Sequence, residues 1–249
     1  GGDSGLMFLD LKTERFVSPY GKVPATGEVR SLVCRGGRLL VGTKSSGVYS
    51  LDLTKRVWHH YDLPGGKNDI VFSLESAVDG VYVAHYNGLA LLDDRERLHD
   101  EKIDDNVYAV WHDAVRGCLW IGTEHHLLCR ELMSGRTREV CSGSTFNQVV
   151  PSPDGRLLLA SEYGLQILDP RSYDILTIAH DASSARNGLP SNTIHHISCE
   201  GDRVWIATDR GVAVAHSANI FETTSLPAIT HSSDGNIFSR ILVDTQGGQ

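Results

Sequence analysis

The residues with the most chemistry to offer are twelve histidines, six of which form adjacent pairs: His59-His60, His125-His126 and His195-His196. Imidazole can serve as metal ligand, general base or donor to a polar ligand. Neighbours on a β-strand point to opposite faces. The first and third pairs stand in strand-like runs and so cannot aim both rings at one ion. His-x-His, the strand spacing that could, does not occur. No P-loop, dinucleotide fingerprint, nucleophile-elbow serine or HExxH pair is present either. Asp93-Asp94 and Asp104-Asp105 are paired carboxylates, but both stand in turn-like stretches where Asp caps backbone N–H groups. These observations predict no catalytic residue, no metal site and no cofactor.

His125-His126 differs because it follows a short apolar run instead of lying within one. Equivalent polar segments follow similar runs elsewhere: Lys44-Ser45-Ser46, His85-Tyr86-Asn87, Glu162-Tyr163 and Asp209-Arg210. If these are equivalent loops of a repeated unit, they project on one face. Planar polar and aromatic groups gathered around a concavity suit sugar hydroxyls or another polar small molecule. The expected ligand contacts are His85, Tyr86, His125, His126, Glu162, Tyr163, Asp209 and Arg210. Loops are also polar simply because they are wet, so each residue taken alone carries little weight.

The elements that must position these loops are legible as a repeat. The apolar runs are Leu39-Leu40-Val41-Gly42-Thr43, Val81-Tyr82-Val83-Ala84, Leu119-Trp120-Ile121-Gly122-Thr123, Leu157-Leu158-Leu159-Ala160-Ser161 and Val204-Trp205-Ile206-Ala207-Thr208. Their small residues fall at 42, 84, 122, 160 and 207, giving steps of 42, 38, 38 and 47 residues, the length of one four-stranded propeller blade. Each run is preceded by a strand (29–34, 71–76, 107–112, 147–150, 193–199) and a tight turn such as Ser152-Pro153-Asp154-Gly155. Each polar loop leads to a third strand, in four of the five repeats opened by glycine, as in Gly164-Leu165-Gln166-Ile167-Leu168-Asp169. A more polar fourth strand follows, as in 57–61 and 139–142.

The predicted fold is therefore all-β, a β-propeller of four-stranded antiparallel blades with about six repeats represented. The segments are a partial blade 1–27, blades at about 28–67, 68–105, 106–144, 145–191 and 192–235, and a partial blade 236–249. Residues 5–10 match a third strand and 236–244 a first strand. The chain is thus expected to be a sector of a longer propeller, with a closed six-bladed ring as the other arrangement. A small residue after strand two lets neighbouring blades approach, and Trp120 and Trp205 are expected to be buried between sheets.

Bulk properties narrow the class. The 249 residues are 41% hydrophobic and 22% charged, with a net charge of −8. No run of Lys/Arg exceeds two residues, which speaks against a nucleic-acid footprint or a polybasic membrane patch. No apolar stretch approaches the roughly 18 residues of a membrane helix. Gly1-Gly2-Asp3-Ser4-Gly5 lacks signal-peptide regions, leaving a cytoplasmic chain or one cut from a longer precursor. Five cysteines without CxxC spacing are expected to pack in strands without disulfides.

Two segments carry a resemblance to a known family. Gly188-Leu189-Pro190-Ser191-Asn192-Thr193-Ile194 with Val204-Trp205-Ile206-Ala207-Thr208-Asp209-Arg210-Gly211-Val212, and Asn106-Val107-Tyr108-Ala109-Val110 with Leu119-Trp120-Ile121-Gly122-Thr123, resemble the two-component-regulator propeller repeat. The repeat that ends at Ala84 lacks the Trp and Gly-Thr, and residues 152–161 fit several propeller families. Such repeats form the periplasmic sensor region of hybrid two-component histidine kinases in Bacteroidetes, usually in seven-bladed or paired propellers. The resemblance implies a non-enzymatic, ligand-sensing module in the periplasm. It would bind a small molecule such as an oligosaccharide and signal through altered packing of two sensor chains. It implies a homodimer through the full-length sensor, with no nucleic acid and no membrane contact by this segment. Two alternatives remain: a propeller lyase of the streptogramin-lyase type, with His125 and Glu162 as candidates, or a protein-interaction scaffold.

Overall fold

The structure, a computed structural model, describes residues 5–18, 20, 24, 26–65, 69–181, 188–216 and 221–224. A two-stranded hairpin, β1 (Phe8–Asp10) and β2 (Arg15–Val17), comes first. Five four-stranded sheets follow. They are β3 (Val29–Arg35), β4 (Arg38–Thr43), β5 (Val48–Asp52) and β6 (Val57–Tyr61); β7 (Val71–Ala77), β8 (Gly80–His85), β9 (Gly88–Asp93) and β10 (Leu98–Asp100); β11 (Val107–Asp113), β12 (Cys118–Thr123), β13 (His126–Glu131) and β14 (Thr137–Ser142); β15 (Phe146–Pro151), β16 (Leu157–Ser161), β17 (Gly164–Leu168) and β18 (Ile175–Ile178); and β19 (Ile194–Glu200), β20 (Arg203–Thr208), β21 (Gly211–His216) and β22 (Phe221–Thr224). In each sheet the strands lie side by side in sequence order, and no helix occurs among the described residues. These are the blades of a β-propeller. The stretch 236–244, expected to be a first strand, lies outside the described residues.

The apolar runs form the second strands for a physical reason. A strand covered on both faces reads as continuous apolar sequence, and every residue of β8, β12 and β16 is buried. The outer strands β6 and β14 have no fully buried residue, which accounts for their polar, variable composition. Third strands β1, β5 and β9 end in Asp10, Asp52 and Asp93, and Asp169 directly follows β17. In each case Oδ1 accepts backbone N–H from residues two to four positions further along the chain. These bonds, first that of Arg97 N–H, hold the Asp93 carboxyl well below the usual range. Asp93 is thus a turn cap, as its position in the sequence suggested.

The chain divides into two compact units, Gly1–Ile121 with Arg130–Arg136, and Gly122–Cys129 with Thr137–Gln249. In the first, Leu40, Val48, Val71, Leu74, Val81 and Val83 form a core between the first two four-stranded blades. A Cβ on Gly42 would lie 2.5 Å from Val71 Cγ1, so the small residue after strand two is what lets β7 approach β4. In the second, Leu158, Ala160, Leu165, Ile194, Ile197 and Ile206 play the same part between the fourth and fifth blades.

Polar side chains on first strands pin neighbouring blades. Ser31 Oγ accepts Leu74 N–H at 3.1 Å, Glu75 Oε1 accepts His112 N–H at 3.0 Å, and Gln148 Oε1 accepts Ile197 N–H at 2.6 Å. The sequence gives little sign of these pins, because polar residues in a half-buried strand read as its wet face.

Two expectations need adjustment. Trp120 is 1% exposed, but Trp205 is only half-buried. Trp205 belongs to the last described blade, so no described blade follows to cover its sheet. Of the cysteines, Cys118 and Cys129 are buried and Cys141 and Cys199 half-buried, whereas Cys34 is exposed near the end of β3. None is in a disulfide. Burial pushes the Cys141 thiol up to about 11 and raises that of Cys199. Titration with a thiol reagent without reductant should therefore find five thiols in denaturant, with Cys34 reacting first in the native protein. Three or fewer in denaturant would mean that a bridge forms.

Candidate functional site

The loops between second and third strands are built around one repeated hydrogen-bond device. A buried hydroxyl ends strand two, donates to the carbonyl of the residue that opens or precedes strand three, and accepts an N–H from within the loop. Thr43 Oγ1 donates to Gly47 O at 2.9 Å and accepts Ser46 N–H at 2.9 Å. Thr123 Oγ1 donates to His126 O at 3.0 Å and accepts His126 N–H at 2.8 Å. Ser161 Oγ donates to Gly164 O at 2.8 Å and accepts Tyr163 N–H; Thr208 Oγ1 donates to Gly211 O at 2.8 Å and accepts Arg210 N–H. All four hydroxyl residues are fully buried. The recurring Thr or Ser hydroxyl is therefore a staple, closed on a glycine in three of these four blades. Its glycine is needed because, at Gly164, φ is +112° and a Cβ would meet Ile178 O at 2.3 Å.

The staples fix the loop backbone, and several of the intervening side chains lie at the surface. Glu162, Arg210 and His125 are exposed, and Tyr163 is 58% exposed. His126 Nδ1 lies 3.2 Å from Glu139 Oε2, within ion-pair range but without hydrogen-bond alignment. Asp209 is half-buried, and its Oδ1 is enclosed with no hydrogen-bond partner among the described residues.

Loops of the first three four-stranded blades are also tied to a connection between blades, the one that leaves the blade for Gly47 and His125 and the one that enters it for Tyr86. Gly47 N–H donates to Asp69 O, Tyr86 N–H to Ile70 O, and Gly143 N–H to His125 O. Thr145 Oγ1 donates to Glu124 O. Within a blade, the two sets of loops thus share one edge. His125, His126, Glu162, Tyr163, Asp209 and Arg210 occupy this edge in the second unit, and Tyr86 occupies it in the first. His85 differs: it ends β8 and is 1% exposed, so its ring is not presented to solvent.

Two clefts open in the first unit. One of about 390 Å³ is lined by Asp79, Tyr82, Glu101, Lys102 and Arg130, the other of about 440 Å³ by Arg35, Arg38, Ser50, Asp93 and Asp94. Neither includes an expected ligand residue. Their charges are largely committed to one another: Arg130 pairs with Glu101 at 2.7 Å, Arg35 with Asp94 at 2.8 Å, and Tyr82 Oη donates to Asp79 at 2.7 Å. Tyr82 is consequently held well above the usual phenol range, by burial first and then by Asp79.

No protein-family model and no curated protein matches the sequence. Solved structures do resemble the fold. The extracellular domain of BT4673 from B. thetaiotaomicron, assigned to a hybrid two-component system, has a TM-score of 0.76 at 22% identity, covering 86% of this chain and 30% of that one. The corresponding domain of BT3049 has a TM-score of 0.69 at 15% identity, covering 96% and 36%. PorZ, a surface component of the type-IX secretion system of Porphyromonas gingivalis, has a TM-score of 0.64 at 14% identity, covering 90% and 36%. The chain spans about a third of each of these structures. At such identities the likeness establishes the β-propeller fold.

Proposed function

We propose that this chain is part of the ligand-sensing propeller of a periplasmic hybrid two-component sensor. In this reading it performs no chemistry itself. It binds a polar small molecule, of the oligosaccharide class, on the edge formed by the loops between second and third strands. The fold likeness to the BT4673 and BT3049 extracellular domains supports the sensor role. The observation that carries the site is Asp209 Oδ1: an enclosed carboxylate oxygen without a partner among the described residues is costly, and turning the half-buried side chain outward onto a ligand hydroxyl would satisfy it. Beside it, Arg210 offers a planar two-pronged donor, and one blade earlier the exposed Tyr163 offers a ring for an apolar sugar face. The signal follows if ligand affinity differs between two packings of paired sensor chains, since only differential affinity shifts an equilibrium.

Calorimetric titration of the protein with a panel of glycans tests this reading. A binding glycan should lose about tenfold or more in affinity in Arg210→Ala and in Tyr163→Ala, consistent with roughly 1.4 kcal/mol for each tenfold step. Unchanged affinity in both variants would move the site off this edge.

A further inference from the structure

One described blade lacks the hydroxyl staple. Where the others have Thr43, Thr123, Ser161 and Thr208, the second blade has His85, paired across β8 and β9 with Gly88. The ring is 1% exposed, and neither Nδ1 nor Nε2 has a hydrogen-bond partner among the described residues. Its Cε1 sits against Gly88, 3.9 Å from where a Cβ would stand. The short loop it closes, Tyr86-Asn87, is therefore held without the bonds that fix its counterparts. Besides the strand pairing of His85 with Gly88, Tyr86 N–H donates to Ile70 O at 3.0 Å, with Glu101 N–H on Leu89 O at 2.9 Å just beyond.

We propose that His85 makes this loop acid-releasable: a proton on the enclosed ring creates a charge and an N–H donor with no acceptor in reach, so the ring swings out and the loop lets go. The charged groups facing it are Asp100, at the end of β10, and Asp69, in the connection before β7. Asp100 is already paired with Lys102 at 2.6 Å, and Asp69 Oδ1 accepts Leu63 N–H at 3.2 Å. Burial outweighs their attraction and lowers the proton affinity of the closed ring. In the released state the ring regains an ordinary value of about 6.5. The closed loop is thus favoured in full above that pH and loses ground as pH falls from there toward the lowered closed-state value. One proton changes the equilibrium by at most about tenfold per pH unit. This inference does not depend on the identity of any ligand.

Amide hydrogen exchange on the whole chain at about pH 7.5 and pH 5, corrected for intrinsic rates, reads the opening. The Tyr86 and Glu101 amides should lose about tenfold or more in protection at the lower pH. The Arg210 amide, in the hydroxyl-stapled loop of the fifth blade, should change less than twofold. His85→Thr, which restores the hydroxyl, should hold the Tyr86 and Glu101 changes below about twofold as well, and Asp100→Asn, which removes a charge that favours the proton on the closed ring, should give losses at pH 5 at least as large as in wild type. Equal losses in wild type and His85→Thr would overturn the proposal. An NMR titration of His85 in the wild-type protein decides independently of any variant. A midpoint below about 6.5 that coincides with loss of protection supports release, and one at or above 6.5 overturns it.

Discussion

Replacing Trp120 with alanine is expected to cost about 3–5 kcal/mol of stability, the range for a fully enclosed large aromatic. The indole is 1% exposed in the middle of β12, flanked by Leu119 and Ile121, both fully buried. It also lies near Asp113, whose buried carboxyl is held below the usual range: burial raises it, but Arg116 at 2.7 Å and the Trp120 indole more than compensate. Truncation therefore leaves a large void and removes one group that stabilises a buried charge. Trp205 has the same phase in the repeat but is half-buried, so Trp205→Ala should cost clearly less. Urea unfolding followed by circular dichroism, which does not depend on the deleted fluorophore, measures both. Equal losses at the two positions would mean that enclosure between sheets is not what Trp120 contributes.

The difference between those two tryptophans illustrates what the sequence could and could not convey. Strand order, blade length and the turn-capping aspartates were all legible, because each follows from a local rule. Two-sided burial makes Leu157-Leu158-Leu159-Ala160 continuous, and a carboxylate after a strand finds the next N–H groups. The loops sharing an edge were legible from repeat phase alone. What stayed hidden depends on partners distant in sequence. Gln148 reads as the wet face of a strand, yet it accepts Ile197 N–H from the next blade. His85 reads as the first residue of a polar loop by analogy with its neighbours, yet its position is that of the buried hydroxyls. The hydroxyl that closes each apolar run could have located it: aligning Thr43, Thr123, Ser161 and Thr208 assigns a closing-strand role to whatever stands fourth after Val81. The enclosed oxygen of Asp209 had no sequence signal, since its environment is made by the fold.

The close approach of blades at Gly42 should appear as strong coupling between two mutations. Gly42→Ala places a methyl 2.5 Å from Val71 Cγ1 and 3.1 Å from Val71 Cβ, with Leu74 Cγ at 3.4 Å. Val71 is fully buried and opens β7 beside the shift in strand register, so it has little room to turn away. A β-branched side chain is also stiff at χ1. Overpacking of this kind costs about 1–3 kcal/mol. Val71→Ala alone should cost about 2 kcal/mol, from lost burial and the void it leaves. Combined, the two changes exchange volume across one contact: the new methyl occupies space vacated by the valine. The double variant should therefore be more stable than the sum of the single losses predicts, by about 1–2 kcal/mol. Independent sites add within about 0.3–0.5 kcal/mol, so the expected coupling lies well outside that margin. Urea midpoints of the four proteins measure it. Simple additivity would mean that Gly42 is small for a reason other than the approach of β7. At the same position the second and fourth blades carry Ala84 and Ala160, both fully buried, so those seams already accommodate the methyl that Gly42 excludes.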